Sequence, residues 1–242
     1  MTRDKMMLNE KKTLNLVFNF TKEHQFTSEI LLKNEKLETV DKTKLLGVII
    51  TNDLKWHENT KHIVKNANMK MRMLHKFSKF TKNKSHLMHI FKSQVRGSLE
   101  YCSTVWHSSL TQSNCNDIER VQKAAMRVIM GTRYQGYEEA LEFMKIDSLR
   151  ERRVKMALKF AKKAIRQEIF SPLFPLNENL HSMKTRNPKK YVEKKGNTER
   201  MRRSSVPFLQ RLLNEDFDKQ KKDLSRLLQV NNGVPFNAPI TY

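Results

Sequence analysis

The hydrophobic period of this chain changes near residue 57, and that change constrains its fold more than any other feature. Upstream, Leu14, Leu16, Phe18 and Phe20 alternate with Thr13, Asn15 and Asn19. A period of two predicts a strand with one buried face. The segment 30–40, ILLKNEKLETV, predicts a short hairpin turning at Asn34-Glu35, and KLLGVII (44–50) predicts a third β run rich in branched residues. Asn52-Asp53 then offers a stop to the sheet and a helix cap.

Downstream the period becomes 3.6. Ile63, Ala67, Met71 and Leu74, with Val64 and Phe77 beside them, form one apolar stripe. Leu87, Ile90, Phe91 and Val95 form a second. Ile118, Val121, Ala125, Val128 and Ile129 form a third, closed by Gly131 at the C-cap position. Tyr137, Ala140, Leu141 and Met144 make a short fourth stripe. Leu149, Ala157, Leu158, Ala161 and Ile165 make a fifth, ended by Ser171-Pro172. Amphipathic helices with short links predict a bundle. Beyond Pro172 the residues 184–203 carry nine Lys/Arg against two Glu with almost no apolar periodicity, which predicts a basic segment disordered when alone. A last helix is expected over about 206–229 (Phe208, Leu212, Leu213, Phe217, Leu224, Leu227, Leu228), and the end as loop. The expected class is α+β, mainly α: a small antiparallel β segment over 1–56, a helical bundle over 57–170, and a basic extension over 171–242 with one further helix.

Charge narrows the function. Lys and Arg number 47 against 25 Asp and Glu, a formal net charge of +22. Such an excess is the electrostatic footprint of a polyanion binder, and nucleic acid is the expected partner. The start, MTRDKMMLNEKK, has no apolar core of a signal peptide, so the chain is expected inside the cell, nuclear or cytoplasmic, and not secreted. The longest apolar stretch, around LLGVII, is far too short to span a bilayer, so no membrane partner is expected. Cys102 and Cys115 are too few for a disulfide framework, and their spacing lacks a matching Cys/His pair for zinc.

Catalytic signatures are scarce. The chain has no Asp-Asp dipeptide, no phosphate-binding glycine loop and no His-Glu-x-x-His. The cluster Glu215-Asp216-Phe217-Asp218 falls in an expected helix among lysines, where a solvated face is the simpler reading. His86 and His89 lie three apart without an evident third ligand. The residues alone describe a binder rather than a self-sufficient enzyme.

Six segments in order carry a resemblance: NEKKTLNLVFNF, LETVDKTKLLGVIITNDLKW, HIVKNANMKMRMLHKFSKF, LEYCSTVWHSSL, IERVQKAAMRVIMG and YEEALEFMKIDSLRERRVKMALKFAKK. Over about residues 6–215 the chain resembles the C-terminal part of the reverse transcriptase of a non-LTR (LINE-type, jockey- or CR1-like) retrotransposon. The resemblance implies the end of a palm over 1–56, a thumb and following region over 57–170, and an extension beyond. It implies that the strand bearing the catalytic Asp pair belongs upstream of the LNEKKT segment, so the chain is expected to be truncated and to run no polymerisation alone. It also implies no cofactor on this chain, although the complete parent would use Mg2+.

The same resemblance places Leu45, Leu46 and Gly47 at the primer-grip turn, whose backbone would face a primer end. Glycine suits close approach of a nucleic-acid backbone, and it equally suits a bulge in a hairpin. A thumb holds the duplex through phosphates, which takes Lys and Arg on a rigid face. The first helix supplies Lys61, Lys65, Lys70 and Arg72. The fifth supplies Arg150, Arg152, Arg153, Lys159 and Lys163, with only Glu151 and Glu168 as acids within 148–168. Trp56 and Trp106 are expected as apolar anchors in preference to base-stacking platforms. Two rivals stand beside this reading: a free-standing basic helical nucleic-acid-binding protein derived from such an element, and a partner-binding fragment with no nucleic-acid role.

Overall fold

The computed structural model describes residues 9, 12–20, 29–33, 35–177 and 190–231, with side chains to residue 220 in the last segment. The fold is α+β and mainly α. Its short strands are β1 (Leu14–Asn15), β2 (Leu31–Leu32), β3 (Glu35–Lys36), β4 (Glu38–Thr39), β5 (Lys42–Leu45) and β6 (Val48–Thr51). The helices are α1 (His57–Phe80), α2 (Lys84–Ile90), α3 (Gly97–Glu100), α4 (Ser103–Trp106), α5 (Gln112–Met130), α6 (Tyr137–Met144), α7 (Leu149–Ala164), α8 (Glu199–Arg202) and α9 (Ser205–Asn231). The chain divides into two compact units, Met1–Arg153 and Val154–Tyr242. That division falls inside the segment 57–170 expected as one body.

In the first unit the β segment departs from the sequence pattern. Pairing is antiparallel in β2–β3 and β5–β6, but β1 runs parallel to β4, with Leu14 opposite Glu38 and Asn15 opposite Thr39. The strand expected over 13–20 shrinks to those two residues. Alternation buries a face only where something covers it, and Leu14, Phe18 and Phe20 stay 43%, 47% and 53% exposed. The run 44–50 is likewise not one strand. It is a hairpin in which Leu45 pairs with Val48 around a tip at Leu46-Gly47. Asn34, the expected turn residue of the upstream hairpin, lies outside the described residues. Asp53 does not cap α1 either. Its carboxylate accepts from the Thr51 hydroxyl at 2.7 Å and the Lys55 amide at 3.0 Å, closing the turn that leads into the helix.

The helical stripes match the packing closely. Ile63, Ala67, Met71 and Leu74 of α1 are buried, as are Leu87, Phe91 and Val95 of the second stripe and Ile118, Val121, Ala125 and Ile129 of α5. Each such large side chain withdrawn from water contributes roughly 1.5–3 kcal/mol before entropy is subtracted. Between α2 and α3 the helix widens into a π-type turn over Phe91–Arg96, which keeps Phe91, Val95 and Leu99 inside. Local chemistry sets the ends. Asn83 accepts from the amides of Ser85 and His86 to start α2, and Thr111 accepts from Asn114 to start α5. Gly131 ends α5 at φ 58°. Ser148 and Glu151 cap the start of α7 reciprocally, each side chain taking the other's amide. Trp56 and Trp106 are core anchors, 8% and 0% exposed, and the Trp106 indole donates to the Tyr101 carbonyl at 3.0 Å.

The second unit packs Ala157, Ala161 and Ala164 with Phe174, Tyr191, Leu209, Leu212 and Leu213. α7 ends at Ala164, earlier than the Ser171-Pro172 stop. The basic segment is not wholly free. Tyr191 is buried, its amide donating to Asn214 Oδ1 at 2.9 Å and its carbonyl accepting from Asn214 Nδ2 at 3.0 Å. Gln210 accepts from the Lys194 amide at 2.7 Å and donates to the Leu173 carbonyl at 2.7 Å. These bonds give residues 190–194 an ordered path that charge composition alone conceals. Farther along the basic segment, Glu199–Arg202 form α8, started by the Thr198 hydroxyl accepting from the Met201 amide, against the expectation of disorder. Residues 184–189 and the expected loop at 232–242 lie outside the described residues, as do the side chains of Leu224, Leu227 and Leu228. No helix among the described residues is long and apolar enough to cross a membrane.

Candidate functional site

The cations expected at a phosphate-binding face separate into groups once the fold is in place. On α1, Lys61, Lys65, Asn68 and Arg72 recur at intervals of four, three and four, so they share one helix face. That face and α5 form the two walls of a groove of about 680 Å3, with Asp117, Arg120, Val121 and Ala124 on the α5 side. Val64, Val121 and Ala124 give it an apolar floor, and Lys61, Lys65, Arg72 and Arg120 rim it with positive charge. Lys61 pairs with Glu58 at 3.2 Å, and Arg120 pairs with Asp117 at 3.1 Å. Glu58 also holds Lys42 at 3.1 Å, and these two lysines keep its carboxyl below the ordinary range. Lys65 and Arg72 are exposed and have no ion pair among the described residues.

Other expected cations have structural duties. Lys70 points away from the groove and donates to the Ser98 hydroxyl at 2.5 Å. Arg152 grips the Glu100 carboxylate with two bonds, at 2.6 and 3.1 Å, and Arg96 lies 3.8 Å from the same carboxylate. The bond to Glu100 raises the Arg152 pKa, while burial lowers that of Arg96. Arg153 is fully buried. Its Nε donates to His107 Nδ1 at 3.2 Å, and its guanidinium carbon sits 6.0 Å from the centre of the Trp106 ring. Arg153 therefore cannot meet a phosphate on the surface, and the face expected from Arg150, Arg152 and Arg153 together reduces to the exposed Arg150. Spacing could not foresee this, because Glu100 and His107 lie about fifty residues away. Lys159 and Lys163 are exposed and belong to the second unit, where their neighbour Lys162 pairs with Asp216 at 2.7 Å. That pair engages part of the acidic cluster at 215–218.

The buried polar groups near Arg153 titrate abnormally. Burial, then the charges of Arg153 and Arg150, depress His107 to about 4, so the imidazole is neutral and its Nδ1 accepts from Arg153. Tyr137 is pushed far up by burial and by its bond to the Glu119 carboxylate, which also accepts from the Leu149 amide at 3.0 Å. These groups tie α5, α6 and the start of α7 together at the end of the first unit.

The tip of the β5–β6 hairpin is the second feature. Leu45 and Leu46 are 57% and 83% exposed. Leu46 has φ 46° and Gly47 φ 87°, so the tip sits in the left-handed region that leucine adopts only under constraint. The constraint is visible: the Tyr101 hydroxyl donates to the Leu46 carbonyl at 2.9 Å, and a Cβ on Gly47 would lie 3.2 Å from Tyr101 Cε1. Gly47 thus serves the hairpin geometry directly. The sequence offers no signal for Tyr101, whose bond spans 55 residues, whereas Arg120 was accessible from its position beside Val121 on the α5 stripe.

Among the described residues no cluster of three or more His, Cys, Asp or Glu could hold a metal ion, and Cys102 and Cys115 are free thiols. No family model, curated protein or solved structure matches the chain.

Proposed function

We propose that this chain binds the sugar-phosphate backbone of nucleic acid through the α1–α5 groove, as a thumb-like part related to a non-LTR reverse transcriptase. The carrying observation is the convergence of Lys61, Lys65 and Arg72 with Arg120 on one groove, two of them without a counter-ion among the described residues. Such a groove offers charge at helical spacing and no array of base-edge donors, which suits contact without sequence reading. The exposed Leu45–Gly47 tip fits a primer-grip role in the same reading. The reading assigns binding to this chain and nucleotidyl transfer to carboxylates outside it, with no cofactor of its own, and it goes with a nuclear or cytoplasmic setting. A free-standing binder derived from such an element would use the same groove.

The test is fluorescence anisotropy with an RNA–DNA duplex across a salt series. If the four groove cations engage phosphates, log K falls against log salt with a slope of about −3 to −4. Lys65→Gln, Arg72→Gln and Arg120→Gln together make that slope shallower by about 2 to 3, equally on scrambled sequences. A slope near zero, or a triple variant that keeps the full slope, overturns the proposal. Primer extension with Mg2+ or Mn2+ on the pure chain is expected to give no incorporation.

A further inference from the structure

The outer face of α1 carries an apolar strip that starts at the groove edge with Met69 and continues beyond it, outside the core. Met69, Met73, Phe77 and Phe80 are 49%, 45%, 44% and 87% exposed. At about 100° per residue these four fall within roughly 80° of arc and extend roughly 16 Å along the axis. The buried stripe of Ile63, Ala67, Met71 and Leu74 lies on a different arc, so the strip is a second apolar face. A row of exposed cations, Lys65, Arg72 and Lys76, runs directly beside it.

An occupant must satisfy both rows. Glu58, in the first turn, is the one acid in α1, so the half of the helix bearing the strip offers positive charge alone. The partner is therefore anionic along one edge and apolar and flat along the other. A duplex meets the first demand and fails the second, because its base faces are stacked inside. An unpaired strand meets both, since each base presents a π-face beside a phosphate. We propose that this face of α1 binds single-stranded nucleic acid, with phosphates on Lys65, Arg72 and Lys76 and bases stacked on Phe80 and Phe77. This inference rests on the phosphate-binding reading and adds the substrate class to it. An unpaired strand leaving a duplex held in the groove would find this platform on the same helix, since Met69 lines the groove and also starts the strip.

Three probes of equal length separate the contributions: labelled oligo-dT, an abasic strand with the same phosphates, and a closed hairpin duplex. Phe80→Ala removes a ring that is almost wholly outside the core, and Trp fluorescence verifies that the fold is intact. The wild-type chain is expected to bind oligo-dT more tightly than the abasic strand. Phe80→Ala weakens oligo-dT at least about fivefold and leaves the abasic strand and the salt slope unchanged. Phe77→Ala added to it widens the loss. Equal affinity of the wild type for oligo-dT and the abasic strand overturns the platform while leaving phosphate binding standing. Loss on both strands alike overturns it too. Absence of binding to every probe overturns both readings. Phe80-dependent binding to anionic phosphatidylserine vesicles, with none to oligo-dT, assigns the strip to a lipid surface instead.

Discussion

Glu100→Gln is the substitution on which the structure makes its most exposed claim. Glu100 is 8% exposed and stands between two guanidinia, Arg152 bonded at 2.6 and 3.1 Å and Arg96 at 3.8 Å. Glutamine keeps the volume, so no cavity opens and the change is electrostatic. Removing one partner of a buried ion pair costs about 3–5 kcal/mol. Here the two arginine side chains retain 17% and 27% exposure, so water recovers part of that loss. The expected cost is about 2–4 kcal/mol, a large fraction of a typical 5–15 kcal/mol stability. Both tryptophans of the chain, Trp56 and Trp106, are buried in the first unit, so urea titration followed by Trp fluorescence reads that unit alone. The midpoint should fall with little change in slope, and added salt should restore part of it by screening Arg96 from Arg152. Affinity for duplex should not fall, because Arg152 serves Glu100 and not a phosphate. A loss below about 0.5 kcal/mol would place the triad with ordinary surface pairs and refute the reasoning.

Further outcomes follow from the same geometry. His107 is held neutral in the fold with its pKa near 4, below the ordinary 6.5. Its contribution is whole above pH 6.5 and is lost as pH falls toward 4, roughly 3 kcal/mol in all; urea midpoints between pH 7.5 and 4.5 should show the drop, and His107→Gln should flatten it. The low carboxyl of Asp53, near 2, belongs to a separate window: against the upward push of burial, the Thr51 hydroxyl and the Lys55 amide and charge hold it down, so its contribution is lost only below about pH 4. Gly47→Ala should cost about 1–2 kcal/mol, because the tip holds φ at 87° against the Tyr101 ring; thermal unfolding that matches wild type would show that the tip relaxes freely. Arg153→Met should leave duplex affinity unchanged and stability equal or higher, since the guanidinium is wholly buried with one hydrogen bond to His107 and no protein acceptor at either Nη among the described residues; a clear drop in either measurement contradicts that account.

The helices were legible because their information is local. A stripe such as Ile63, Ala67, Met71, Leu74 announces both the helix and its inward face, and Gly131 announces an end. The strands were not, because alternation states a demand for cover without naming the cover. Leu14, Phe18 and Phe20 carry the pattern and remain exposed, while β1 takes a parallel partner that no local rule suggests. At 44–50 the apolar pattern reads as one β run and only the resemblance places a turn at Leu45–Gly47; the left-handed pair Leu46-Gly47 is held by Tyr101 from a distant segment.

The candidate site was half legible for a related reason. Sequence counts cations but cannot say which of them an acid has claimed, and in a chain of +22 the acids decide. Glu58 takes Lys42 and Lys61, Glu100 takes Arg96 and Arg152, Asp117 takes Arg120, and Asp216 takes Lys162. Each of these acids offsets a cation that would otherwise repel its neighbours; at the buried Glu100 this turns Arg96 and Arg152 into structural struts, while Lys61 and Arg120 keep exposed side chains on the groove rim. On α1 the allocation stops after the first turn. Lys65, Arg72 and Lys76 then stand on exposed backbone-rigid positions with no acid within the helix to answer them. Like charges held this way lower the stability of the helix unless a polyanion is present. Folding alone would favour an acid at one of these positions, and the helix carries an asparagine at 68 and methionines at 69 and 73 instead. The proposed single-stranded ligand would answer both features at once: its phosphates would neutralise the cation row, and its bases would cover the apolar strip that the free chain leaves exposed.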